Sequence, residues 1–221
     1  MKDKFIKNNF LVIKKAIDPK IANFIYKYFI LKRQVAKTFF DVNYISGYTN
    51  DWGVWNDFQA PETYSHYADI VMETLLTEVK PIIEKKTGLK LIPTYSYARL
   101  YKTGDELKRH KDRFSCEIST TLNLGGDKWP IYIEGQKNVG TPEEGYLNIT
   151  KNKGTKVTLN PGDMLIYKGN ICEHWREKFE GIDCAQVFLH YNDAKTPGSY
   201  DNQFDKRKHL GLPQWFKGKK I

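Results

Sequence analysis

From about residue 90 onward the chain is cut into short, strand-length runs separated by turn residues, and this limits most sharply what it can fold into. Tyr95, Tyr97, Arg99 and Tyr101 alternate along one run and share one face of a strand. Further runs cover 116–124, 129–134, 145–150, 155–159, 163–167 and 182–191, and Asn160-Pro161-Gly162-Asp163 is a strong turn between two of them. Many short strands with turn signals between them predict a sandwich or a barrel.

The first 90 residues differ in kind. Asp18-Pro19 is a helix start, with Asp as cap and Pro at the first helical position. Ile21, Ala22, Ile25, Tyr26, Phe29 and Ile30 then repeat at helical spacing to about residue 36. A second helix is predicted from about Glu62 to Lys86, with Ala68, Val71, Leu75, Val79 and Ile82 on one face and Gly88 ending it. Between them, residues 43–61 have no clean period and read as a long loop of the kind that often forms a functional lid.

Composition narrows the class. With 40% hydrophobic and 14% aromatic residues in 221, the chain is a folded protein with a sizeable core. One domain is expected, with helical support over about 1–90, a β core over about 91–195 and a basic extension over 196–221. There is no apolar run of membrane-spanning length and no signal-peptide core, so a soluble, cytoplasmic protein with no membrane partner is expected. Three cysteines without a CxxC pair argue for reduced thiols rather than a disulfide framework or a zinc site. The net charge is +9, much of it at the ends: residues 195–221 carry seven Lys or Arg against Asp201 and Asp205. This basic tail is expected to be solvated, and it keeps a nucleic-acid partner open.

His110-Lys111-Asp112, followed sixty-two residues after Asp112 by His174, supplies the chemistry. Two imidazoles and one carboxylate can hold one face of an octahedral iron(II), leaving three positions open. Residues i and i+2 of a strand point the same way, so one strand end can present both His110 and Asp112. The third ligand then comes from a distant strand closing beside the first. With five histidines, an HxD arises by chance in roughly a quarter of such chains, so the motif needs its surroundings.

Those surroundings are Tyr101-Lys-Thr-Gly104-Asp-Glu-Leu107-Lys-Arg-His110-Lys-Asp112 and Asn160-Pro161-Gly162-Asp163-Met-Leu-Ile-Tyr167…Glu173-His174. Together they resemble the metal-binding segments of the prolyl 4-hydroxylase-like Fe(II)/2-oxoglutarate oxygenases, over about residues 95–191. The resemblance implies a mainly β protein with packed helices (α+β): a double-stranded β-helix, or jelly-roll (cupin-like), core with N-terminal helices against one sheet. It implies iron(II) on His110, Asp112 and His174 as the catalytic centre, 2-oxoglutarate and O2 as co-substrates, and ascorbate as a possible reductant. Tyr101 takes the place of the tyrosine that hydrogen-bonds 2-oxoglutarate, and Thr121 occupies a position often held by a tyrosine of the same pocket. In that family, decarboxylation of the co-substrate gives succinate, CO2 and an oxidant strong enough to take hydrogen from a C–H bond.

One departure stands out. The family usually anchors the far carboxylate of 2-oxoglutarate with Lys or Arg about ten residues after the second histidine, and here that position is Cys184. A buried carboxylate without a cationic or multiply bonded partner is costly. Strand alternation offers replacements. Arg176, two residues after His174, is expected as the main anchor, Arg99 as the second, and Gln186 as an added amide donor. His190, on the last strand, is a candidate for the site wall. Trp52, Trp55 and Asp57 of the loop, and Arg113 beside Asp112, are candidate substrate contacts. The substrate expected from the resemblance is a prolyl residue of a peptide or protein. Nucleic-acid base demethylation or free amino-acid hydroxylation at the same site stay open as alternatives, as does, from another class, a non-catalytic metal-binding jelly-roll module. Oligomeric state is not legible.

Overall fold

In a computed structural model, which describes residues 2–46, 49–135 and 153–219, the chain forms helices stacked on a pair of antiparallel sheets. In chain order the elements are α1 (Lys2–Asn8), β1 (Phe10–Ile13), α2 (Pro19–Asp41), β2 (Tyr64–Tyr67), α3 (Ile70–Thr87), β3 (Leu91–Lys102), β4 (Leu107–His110), β5 (Ile118–Gly126), β6 (Ile131–Glu134), β7 (Thr155–Val157), β8 (Met164–Lys168), β9 (Glu173–Arg176) and β10 (Asp183–Asp193). One sheet has the order β1-β8-β5-β10-β3-β2, the other β4-β9-β6-β7. The expected strand at 145–150 lies outside the described residues.

The helices form where the sequence supplies caps. Asp18 accepts from the Lys20 N–H (2.7 Å) and Pro19 opens α2, whose buried stripe is Ala22, Ile25, Phe29 and Ala36. The start of α3 differs from expectation. Asp69, not a residue near Glu62, caps it through the Met72 N–H, and Tyr64–Tyr67 is instead an edge strand paired with β3. Tyr-Ser-His-Tyr has no apolar helical repeat, and Ala68 turns the chain with φ 59°. Gly88, at φ 77°, ends α3 as expected.

Strand alternation then divides each long strand between two environments. In β10, Ala185, Val187, Leu189 and Tyr191 join the core under the helices, while Cys184, Gln186, Phe188 and His190 face the opposite sheet. In β3, Ala98 and Leu100 pack beneath the helices, and Tyr95, Tyr97, Arg99 and Tyr101 take the other side. α2 lies on β5, and α3 on β3 and β10. The site therefore sits between the sheets, in the layer where alternation has placed the polar residues. Among the described residues no helix is long and apolar enough to cross a membrane.

The C-terminal extension is not a solvated tail. Arg207 is buried, its guanidinium on Glu73 of α3 (2.7 Å), and Lys217 reaches Asp205 (2.5 Å). Intramolecular pairing thus absorbs part of the charge that suggested a nucleic-acid partner.

Candidate metal centre

β4 and β9 pair with His110 directly opposite His174, so the two imidazoles meet with ring centroids 4.2 Å apart. The ring nitrogen away from the centre is fixed in each case by a backbone carbonyl: His110 Nδ1 by Lys108 O (2.7 Å), His174 Nδ1 by Cys172 O (3.1 Å). Both Nε2 atoms therefore turn inward, as ligating histidines do. They lie 3.6 and 3.5 Å from Asp112 Oδ1. Asp112 reaches this place differently from the i, i+2 expectation. β4 ends at His110, and Asp112 stands in the following loop, its N–H on Gly169 O (2.8 Å) and its Oδ2 accepting from Ser119 Oγ (2.8 Å).

The electrostatics suit a cation. Burial alone would push the Asp112 carboxyl up, but the facing His174 and His110 rings outweigh it and hold it well below the usual carboxylate range. Burial and then the neighbouring His174 push His110 down. Both shifts favour the forms that bind a metal, an ionised carboxylate at Asp112 and a neutral ring at His110. The donor set, two Nε2 and one oxygen on one side of a cavity, fits a facial iron(II) site.

The five residues expected to hold the co-substrate, Arg99, Tyr101, Thr121, Arg176 and Gln186, are all buried, on β3, β5, β9 and β10. Arg176 and His174 are on the same face of β9, and Arg176 is buried at 2% exposure. Its Nη1 donates to Trp129 O, its Nη2 to Thr121 Oγ1 (3.4 Å), and its Nε has no partner among the described residues. Thr121 Oγ1 donates in turn to Gln186 Oε1 (3.1 Å), and Gln186 Nε2 to Cys184 Sγ (3.1 Å). Among the described residues no carboxylate contacts Arg176. Burial pushes its pKa below the ordinary value, only partly offset by Cys184, Tyr101 and Tyr167. Glu173, a conceivable partner, is taken by Arg109 across the strand pair (2.6 Å).

Arg99 also points inward, but its charge is spoken for. It donates to Asp57 (2.7 Å), to Gln59 (2.7 Å) and to Tyr101 OH (3.1 Å). Arg99, not Arg176, lines the small cavity of about 90 Å³ next to the ligands, with Leu107, Tyr167, Phe188 and His190 among its other walls. Arg176 stands behind this wall. Among the described residues Arg99 is thus paired with a carboxylate and Arg176 is not.

A larger cavity of about 520 Å³ runs from His110 and Asp112 to the surface between the 50–59 loop and the C-terminal segment. Of the four residues expected to contact substrate, Asp57 and Arg113 line it. Trp52 and Trp55 do not. They pack the loop down onto α2 and β2, Trp52 on Phe39 (5.0 Å) and Trp55 on Phe40 (5.5 Å) and Tyr64 (4.9 Å). His190 is at the site, its Nδ1 3.0 Å from Ser119 Oγ. Sequence reasoning did not single out Ser119, Gly169, Gln214 or Lys217, which carry no local signature.

A scan against protein-family models and a search of curated proteins return no match. Solved structures do match. The non-heme, α-ketoglutarate-dependent epimerase SnoN of nogalamycin biosynthesis is 12% identical at TM-score 0.64, covering 100% of this chain and 93% of that one. A Pseudomonas putida prolyl-4-hydroxylase is 11% identical at TM-score 0.55, covering 86% and 96%. HygX from Streptomyces hygroscopicus, with nickel and 2-oxoglutarate bound, is 13% identical at TM-score 0.56, covering 87% and 86%. At such identities the likeness speaks for architecture, and it agrees with the two-sheet topology: the chain has the double-stranded β-helix fold of the 2-oxoglutarate-dependent oxygenases, prolyl 4-hydroxylases included.

Proposed function

We propose that this protein is an Fe(II)- and 2-oxoglutarate-dependent oxygenase that oxidises a C–H bond of an organic substrate, releasing succinate and CO2. The observation that carries the reading is Arg176, a fully buried guanidinium with no carboxylate partner among the described residues, two residues from His174 and on the same strand face. A buried cation left uncompensated is costly, and an anionic co-substrate resolves the cost. When bound, iron and 2-oxoglutarate supply the oxidant for a held C–H bond.

The chain's own residues do the rest. His110, Asp112 and His174 hold the metal, and Ser119 orients the Asp112 carboxylate. Arg176 and Thr121 receive the far carboxylate, with Tyr101 beside them, its hydroxyl already accepting from Arg99. Leu107, Tyr167 and Phe188 form the apolar part of the wall beside the ligands, and Arg99 and Gln59 belong to its polar part. The Asp57–Arg99 pair ties the 50–59 loop to β3, fixing the wall of the larger cavity.

A prolyl residue as substrate is the finer reading, supported by the sequence resemblance and by the likeness to the P. putida prolyl-4-hydroxylase. SnoN and HygX, structures of which hold nogalamycin RO and hygromycin B, resemble the chain at least as closely in fold. The test of the reaction is direct. Purified protein given Fe(II), ascorbate and labelled 2-oxoglutarate should form succinate without added substrate, and His174→Ala should not. Failure to bind iron at all would instead favour a non-catalytic module.

A further inference from the structure

The cavity that leads to the metal ligands is walled on one side by residues that follow the jelly roll. After β10 the chain doubles back through a turn in which Phe204, Asp205 and Lys206 have φ of 54°, 55° and 64°. Three successive non-glycine residues in the left-handed region are unfavourable and need support from outside the turn. Asp205 supplies it. Its buried carboxylate accepts from Arg113 Nη1 (3.1 Å) and Nη2 (3.0 Å), Ser115 Oγ (2.8 Å), Tyr67 OH (2.8 Å) and Lys217 Nζ (2.5 Å).

This arrangement places two cations on one carboxylate. Arg113 comes from the residue after the ligand Asp112, and Lys217 from the C-terminal segment; both line the cavity. The guanidinium lies over the Tyr95 ring (4.9 Å) and the ammonium over Tyr67 (5.0 Å), so an aromatic floor fixes both heads. The Arg113 side chain is half exposed, and its Nε–H has no partner among the described residues. Elsewhere on the wall Arg99 is paired with Asp57. Arg113 and Lys217 share the single Asp205 carboxylate, which leaves one positive charge in excess at this point of the wall.

We propose that Arg113 and Lys217, seated together on Asp205, bind a carboxylate or phosphate group of the substrate, so that the molecule oxidised is a small anion-bearing compound rather than a residue within a neutral polypeptide. The proposal rests on the oxygenase reading. A cavity of about 520 Å³ is of small-molecule size. A guanidinium and an ammonium side by side bind an oxyanion through charge-assisted hydrogen bonds, which the backbone of a prolyl peptide cannot match.

Matched probe pairs test it: N-acetylproline against N-acetylprolinamide for the carboxylate, and glucose 6-phosphate against glucose for the phosphate. Binding is read by ligand-observed NMR on the protein loaded with Ni(II) and 2-oxoglutarate, and succinate formation is followed separately with Fe(II). The anionic member of at least one pair should bind about tenfold or more tightly than its neutral partner, and which pair responds identifies the anion. Lys217→Met and Arg113→Gln should each reduce that preference to about threefold or less, and Lys217→Arg should retain it. Lys217 is the safer site if the Arg113 variant folds poorly. Equal binding within both pairs, a preference that survives both substitutions, or no anionic probe binding more tightly than about 1 mM overturns the proposal. Succinate formation without charge preference overturns this assignment and leaves the oxygenase reading intact, whereas charge preference without succinate formation does the reverse.

Discussion

Arg176→Met separates co-substrate binding from folding. The substitution nearly keeps the volume of the side chain and removes a charge that no carboxylate among the described residues balances. Without ligand, the relief of burying an unpaired cation, about 1–4 kcal/mol, opposes the loss of the bond to the Trp129 carbonyl, about 1 kcal/mol net. The melting temperature of the ligand-free protein should therefore stay level or rise. With 2-oxoglutarate the sign reverses. A charge-assisted pair contributes about 1.5–3 kcal/mol, and stranding the partner carboxylate raises the loss to about 3–5 kcal/mol. The 2-oxoglutarate Kd and KM should increase by about 150- to 5,000-fold. In the wild type, 2-oxoglutarate at a hundred times its Kd should add about 2.7 kcal/mol, or roughly 5–10 °C for a chain of this size. That increment should vanish in the variant. Thermal melts of the Ni(II)-loaded protein with and without 2-oxoglutarate give both readouts. An unchanged KM, or a variant that melts far lower yet keeps the 2-oxoglutarate increment, would refute the assignment and return the anchor to Arg99.

Three other outcomes follow from the geometry. His110→Ala and Asp112→Ala should each bring iron content, measured by elemental analysis after dialysis, from about one ion per chain to near none, because a facial site cannot spare a ligand. Ser119→Ala removes the hydroxyl on Asp112 Oδ2 and should weaken metal affinity about 10- to 100-fold in a chelator competition, with little change in circular dichroism. Gly169→Ala should lose both metal and stability: a Cβ there would collide with the Cys116 carbonyl oxygen and stand 2.5 Å from Asp112 Oδ2, and a Gly169→Ala protein with full iron content would contradict the packing described.

The strands and the ligands were legible because their signals are local. Period-two alternation placed Tyr95, Tyr97, Arg99 and Tyr101 on one face, and the two histidine motifs carried the metal set. Arg176 followed from alternation as well, since it is only two residues from His174. Other features were hidden for physical reasons. β1 and β4 are four residues long, too short for a period to declare itself. The start of α3 was misplaced because Glu62 precedes apolar residues at plausible spacing, whereas the cap that decides is Asp69. Trp52 and Trp55 looked like lid residues, yet aromatic partners on α2 and β2 hold them away from the cavity. The basic tail looked solvated because its partners, Glu73 and Asp205, are recognised only once the chain has folded back.

The two sheets differ in a way that bears on how the protein breathes. Strands β4, β9, β6 and β7 are three or four residues long, while α2 and α3 brace the longer strands of the six-stranded sheet. Opening free energies should therefore grade across the molecule, lowest where both histidines reside. An ion held by His110, Asp112 and His174 cross-links β4, β9 and the intervening loop, so its binding free energy is delivered to the weaker half. Stripping the metal should accelerate amide exchange in β4 and β9 while leaving β10 and α3 unmoved, and the centre would then act as a local fastener as well as a reaction site.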